Sequence, residues 1–155
     1  MNRENKPGVR TITTNRKAFH EYEILEKWEA GIALLGTEVK SIRAGNITLG
    51  DGWVDFSKDH EAILRQVNIN PYLYGNIQNH EPQRPRQLLL KKSEIKKLSE
   101  FVTQQGLTVV PLRVFIKGQR IKIEIGLARG KKLYDKREAK KAQEAARELE
   151  RSRQK

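Results

Sequence analysis

The chain has 155 residues, with 31 Lys or Arg against 19 Asp or Glu, a formal net charge of +12, and 37% hydrophobic against 32% charged residues. That length suits one domain with one ordinary core and solvated appendages. The absence of cysteine excludes disulfides and thiolate chemistry, and no apolar run approaches the roughly 20 residues needed to span a bilayer.

Residues 1–18 carry five basic groups and one acid, include Pro7 and Gly8, and lack periodicity, so a flexible basic N-terminal segment is expected there. The opening MNRENKPGVR has no apolar stretch of the secretory kind, and a cytoplasmic location without membrane attachment is expected. From Phe19 the pattern changes, and 19–128 is expected to be the folded body, with a net charge of only +2. Tyr22, Ile24 and Trp28 interleave with Glu23, Leu25 and Glu26, and Ile32, Leu34 and Leu35 follow; this predicts two strands separated near Ala30-Gly31. Thr37 begins a short helical stretch in which Val39 and Ile42 are three apart, and Gly45 closes it. Gly50-Asp51-Gly52 is a turn, and Trp53 to Phe56 and His60 to Val67 read as a strand pair around Lys58-Asp59.

Residues 68–86 hold three of the five prolines and predict a long loop. Ser93-Glu94 starts a helix whose apolar face is Ile95, Leu98, Phe101 and Val102, and Gly106 ends it. Leu107 to Lys117 and Gln119 to Leu127 are the strongest strands, with Ile121, Ile123 and Ile125 alternating with Lys122 and Glu124 and Gly118 in the turn. Residues 129–155 form a basic tail with eleven cationic and five anionic groups. Its stripe of Ala139, Ala142, Ala146 and Leu149 has helical propensity but buries little, so it is expected to be disordered when free and helical when bound.

The expected fold is mainly β with two or three helices: a small antiparallel β-barrel, with the oligonucleotide-binding type the best match and other small β-barrels fitting the same string of elements. A nearly neutral body with two cationic ends suits a polyanion gripped in more than one place.

Three blocks carry a family likeness: EAGIALLGTEVKSIRAG (Glu29 to Gly45), RQLLLKKSEI (Arg86 to Ile95) and IEIGLARGKKLYDKRE (Ile123 to Glu138). In order and spacing they resemble the SsrA-binding protein family, also called small protein B, over nearly the whole chain. The resemblance implies an oligonucleotide-binding barrel that binds the tRNA-like domain of transfer-messenger RNA. It implies delivery of that RNA, with elongation factor Tu and GTP, to stalled ribosomes for trans-translation. The tail is then expected to occupy the decoding centre and empty messenger channel in place of a codon–anticodon helix, leading to tagging of the nascent peptide. A monomer without cofactor or metal is expected.

The same resemblance implies RNA-binding roles for Asn15, Arg16, His20, Tyr22, Glu29, Leu89, Lys122, Lys131 and Lys132, and contact with the ribosomal decoding region for Tyr134, Asp135, Lys136 and Arg137. Read without it, Lys122 is a cation on a polar strand face, Glu29 a turn acid, Leu89 one of a core leucine triplet and the tail a solvated charge run. A carboxylate on an RNA face is useful only where it accepts from a base edge or a 2′-hydroxyl, or holds a basic neighbour. Tyr22 is either a stacking surface or half-buried scaffold.

No enzyme constellation stands out. His20, His60 and His80 have no metal-site pairing, Asp51, Asp55 and Asp59 do not match a calcium loop, and neither a phosphate-binding loop nor a nucleophile elbow is present. A metal-dependent nuclease would need clustered carboxylates, and the acids are scattered. An RNA adaptor without catalytic activity is expected; the other reading is a structural ribosomal or general single-strand-binding barrel.

Overall fold

The computed structural model describes residues 8–74, 79–131 and 147. In chain order the elements are β1 (Val9–Thr14), α1 (Arg16–Glu21), β2 (Tyr22–Ile32), α2 (Gly36–Arg43), β3 (Ile47–Thr48), β4 (Trp53–Phe56), β5 (Ala62–Arg65), β6 (Asn68–Ile69), β7 (Arg86–Leu89), α3 (Lys92–Gln105), β8 (Thr108–Lys117) and β9 (Arg120–Gly130). Seven strands make one antiparallel sheet in the order β1-β8-β9-β2-β7-β5-β4, and β3 pairs with β6 alone. Among the described residues no ladder joins β1 to β4, so the barrel expected from the sequence is not closed. The sheet curls instead. Gly52, entering β4, is so near β8 that an added Cβ would lie 2.8 Å from Pro111 Cγ and 2.6 Å from Val67 Cγ2, a distance no other residue could accept without displacing its neighbours.

The concave face is filled by Val54, Leu64, Val109, Val114, Ile123 and Ile125, and closed by Ile42 of α2 and Ile95 and Leu98 of α3. The alternation of Ile121, Ile123 and Ile125 places this face, as expected of a half-buried strand. A second, smaller cluster lies where Ala18 of α1 meets Val110, Leu112 and Ala128, with Tyr22 and Ile24 packed beside them. Pro111, which lacks an N–H, sits at the β8 irregularity between Pro111 and Arg113, the place in a strand where proline costs least.

Several expectations need correction. The N-terminal segment assigned to 1–18 is folded from Val9 onward: β1 pairs with β8, and Asn15 is only 3% exposed. The stretch VRTITT has five β-branched residues in six, and their restricted rotamers favour an extended edge strand even where apolar alternation is weak. Ala30-Gly31 does not divide two strands, because β2 runs unbroken from Tyr22 to Ile32. Its irregularity lies between Ile24 and Glu26, a bulge that leaves Leu25 as the extra residue. β9 continues to Gly130, two residues into the expected tail. The long loop opens with the short strand β6.

α2 has no side-chain cap from Leu35; the Glu38 carboxylate accepts the Leu35 N–H at 2.8 Å instead. α3 ends on Gly106 with φ +65°, a left-handed conformation that glycine adopts without strain.

Candidate nucleic-acid interface

The outward face of the sheet is built by register. Thr11 pairs with Phe115, Phe115 with Lys122, Lys122 with Gly31, and Gly31 with Leu89, one row across β1, β8, β9, β2 and β7. Directly paired residues present their side chains on the same face of a sheet. Lys122 and Leu89 therefore stand on either side of a residue with no side chain. Gly31 floors the gap, and a Cβ there would come within 3.1 Å of Leu89 Cβ. Leu88 is buried at 2% while Leu89 is 58% exposed, so the leucine triplet turns one member outward, as alternation allows.

Two adjoining hollows share Gly31, Leu89, Arg120 and Lys122. One, of about 390 Å³, is walled by Ile32, Leu34, Val39 and Ile121. The other, of about 570 Å³, is ringed by charge from Glu29, Lys91, Glu94 and Lys117. Glu29 meets Lys117 at 3.6 Å, both side chains well exposed. One row over, Glu124 meets Arg113 at 3.6 Å, and the Arg113 guanidinium lies 4.4 Å from the Phe115 ring centre. Lys122 forms no ion pair among the described residues, so its charge stays available. The arrangement offers an apolar wall, free cations and one held carboxylate on a single face.

A second group lies at the other end of β2, about 30 Å along the strand by its rise per residue. Arg16 and His20 are exposed on α1, and Tyr22 pairs with Gly130. Lys131 donates its N–H to the Glu21 carbonyl at 3.0 Å and its Nζ to the Phe19 carbonyl at 3.4 Å. Lys17 is paired with Asp51 at 2.6 Å, a hydrogen bond that raises its pKa. Asn15 belongs to the scaffold instead. Its Oδ1 accepts the Ala18 N–H at 3.1 Å and its Nδ2 donates to the Pro111 carbonyl at 2.8 Å. The side chain caps α1 and joins it to β8. Tyr22 is half-buried against the α1 cluster.

The expected residues thus fall into two groups: Glu29, Leu89 and Lys122 at one end, and Arg16, His20, Tyr22 and Lys131 at the other. Lys132, Tyr134, Asp135, Lys136 and Arg137 lie outside the described residues, as does the tail helix expected over 135–155 apart from Arg147. Sequence reading missed Gly31, Lys91, Lys117 and Arg120. A lone glycine inside a strand signals close approach, and that signal was present at Gly31.

Behind this face sits a buried charge network. Glu38, with no exposed surface, accepts from Arg84 Nη2 at 2.6 Å and from Arg86 Nε at 2.6 Å. Arg86, also without exposed surface, donates further to the Val67 carbonyl at 2.7 Å and the Pro82 carbonyl at 3.1 Å. Burial alone would push the Glu38 carboxyl up, but hydrogen bonds from Arg84, the Leu35 N–H and Arg86, with the Arg86 charge, hold it below the usual carboxylate range. Burial draws the Arg86 pKa down from a value so high that the guanidinium stays charged. His80, 6% exposed, pins the same region, its Nε2 donating to the Ile69 carbonyl at 2.8 Å and its Nδ1 meeting Thr37 Oγ1 at 2.9 Å. The network anchors α2 and the segment leading into β7, three residues before Leu89.

The family model described as SmpB protein matches residues 12–155. The SsrA-binding protein of Carboxydothermus hydrogenoformans is 53% identical over 141 residues, covering 91% of this chain and 94% of that one. The SsrA-binding protein of Roseiflexus sp. is 54% identical, covering 92% and 90%. A solved structure described as "tmRNA-SmpB: a journey to the center of the bacterial ribosome" superposes with a TM-score of 0.66 at 46% identity, over 81% of this chain and 86% of that one. With a family model that omits only the first eleven residues, and relatives half identical over nearly their full length, the chain belongs to the SmpB protein family.

Proposed function

We propose that this protein binds the tRNA-like domain of transfer-messenger RNA and carries it to stalled ribosomes for trans-translation. The names of its relatives and the tmRNA–SmpB structure it resembles support the RNA and the ribosome as partners. The observation that carries the reading is the row Lys122–Gly31–Leu89 with Glu29 on the same face. Lys122 and Arg120 neutralise phosphates. Leu89 and the glycine floor receive the flat apolar surface of an unpaired base, and Glu29, steadied by Lys117, accepts from a base edge or a 2′-hydroxyl. A curled antiparallel sheet of the oligonucleotide-binding kind presents RNA with such a face.

Arg16, His20, Tyr22, Lys131 and Lys132 form the second contact, with Asn15 setting the start of α1 beneath them. The run Tyr134, Asp135, Lys136, Arg137 takes the decoding region, and the tail fills the empty messenger channel. Elongation factor Tu with GTP is the co-deliverer. The protein acts as a monomer in the cytoplasm and as an adaptor, without catalysis.

The test is competition at about physiological ionic strength, where non-specific phosphate binding is weakened. The tRNA-like domain is set against an elongator tRNA of similar size, and a preference of about a hundredfold or more is expected. Equal, weak, salt-sensitive binding would instead favour a general RNA-binding barrel. Truncation after Lys132 keeps all of β9, leaves that preference intact, and abolishes peptide tagging on stalled ribosomes; a collapse of free-RNA affinity would refute the division of labour between body and tail.

A further inference from the structure

The start of α3 carries its charge at the wrong end. Lys91 is the cap residue, Lys92 opens the helix, and Lys96 and Lys97 follow within two turns, whereas the last turn has no basic residue. The positive end of a helix dipole repels cations, which are ordinarily favoured at the C-terminal end. Lys92 and Lys96 are also four apart, the spacing at which like charges face each other. All four lysines are exposed, and none forms an ion pair among the described residues. The one acid in the first turn, Glu94, is engaged, its Oε1 accepting the Lys91 N–H at 3.0 Å. Glu94 lies at helix spacing from Lys97, and Glu100 from Lys96 and Lys97, yet neither closes an ion pair with the cluster among the described residues. Four lysines against two acids leave this stretch with an excess of positive charge, although the body from 19 to 128 holds a net charge of only +2.

The cluster is contiguous with the interface described above. Lys91 lines the charged hollow together with Lys117, Arg120 and Lys122, and the helix carries positive charge about 9 Å further at 1.5 Å per residue. We infer that the first two turns of α3 form a phosphate rail that grips an RNA backbone running out of the Lys122–Leu89 cleft. Charge complementarity identifies the occupant as a polyanionic strand: the rail presents flexible ammonium groups without an aromatic, so it reads backbone and not base. This inference rests on the proposed RNA-binding role and extends its footprint onto α3.

The experiment compares the full chain with the triple variant Lys92→Gln, Lys96→Gln, Lys97→Gln, which keeps similar helix propensity, and with the triple Lys→Arg variant at the same positions. Affinity for the tRNA-like domain is measured across a salt series from about 50 to 200 mM, and the series is repeated with ribosomes. The glutamine variant should lower the magnitude of the log-affinity against log-salt slope by about 2–3, and the arginine variant should retain the parent slope. A drop on the free RNA supports the rail as the path of the transfer-messenger RNA backbone. A drop on ribosomes alone, or an unchanged slope on both, overturns it. An elongator tRNA control separates this claim from the reading it rests on. Equal affinity of the parent chain for both RNAs would refute the dedicated adaptor, yet the slope comparison would still report whether α3 touches phosphate.

Discussion

Glu38 and Glu29 are both carboxylates set among cations, in surroundings that differ in almost every respect. Glu38 has no exposed surface and receives hydrogen bonds from two guanidinium groups and a backbone N–H. Glu29 is exposed and has one lysine at 3.6 Å. Removing charges from water is expensive, and the interior returns that cost only when every donor and acceptor is matched. The buried group is therefore complete: Arg86 has Glu38 and two backbone carbonyls, and Glu38 has no spare lone pair facing a void. The surface pair is held loosely and screened by salt, so an incoming phosphate can take its lysine. Burial decides which ion pair is architecture and which is available to a partner.

The sharpest way to break this comparison is Glu38→Ala. It leaves the Arg86 charge buried without its counterion, a loss of about 3–5 kcal/mol in stability, read from the midpoint of chemical denaturation. A change below about 1 kcal/mol would show that water replaces the carboxylate and that the site is not closed. Acid titration probes the same group. Because the folded Glu38 pKa is lowered, its contribution to stability is fully present above the unfolded value of about 4.3 and is lost as pH falls through the folded value. Unfolding free energy should be flat in this respect near neutrality and decline below about pH 4. A Glu38→Gln variant should show a shallower decline; an identical slope would assign the acid sensitivity to other carboxylates.

Asn15→Ala should have the next largest effect. It removes the cap of α1 and leaves the Pro111 carbonyl without its donor, a cost of about 1–2 kcal/mol. Since the side chain is internal, RNA affinity measured well below the unfolding transition should stay within about twofold. A large loss of affinity at unchanged stability would return Asn15 to the interface.

What was legible in the sequence follows the physics of each element. Strict alternation around Lys122 and the glycine ends of α2 and α3 are local signals, and those elements stand where they were expected. β1 was missed because an edge strand of β-branched residues needs no apolar alternation, and the link Asn15 makes to β8 was hidden because its partner Pro111 is 96 residues away. The trough depends on register: Lys122, Gly31 and Leu89 are far apart in the chain and become neighbours only through two ladders. The Glu38–Arg86 pair spans 48 residues, and nothing local to either residue announces it.

Glu29→Gln should produce the smallest structural effect and the finest discrimination. An exposed ion pair with its partner at 3.6 Å is worth between nothing and about 1 kcal/mol, so stability should move by less than about 0.5 kcal/mol. The change in RNA preference carries the information. If the carboxylate only repels phosphate and neutralises Lys117, its removal frees a cation, and affinity for the tRNA-like domain and for an elongator tRNA should rise together. If it accepts from a base edge or a 2′-hydroxyl, affinity for the tRNA-like domain should fall by roughly tenfold, the order of one lost hydrogen bond to a charged group, while binding to the elongator tRNA rises or holds. Opposite movement of the two affinities would make Glu29 a source of specificity, and a parallel rise would reduce it to a tether for Lys117.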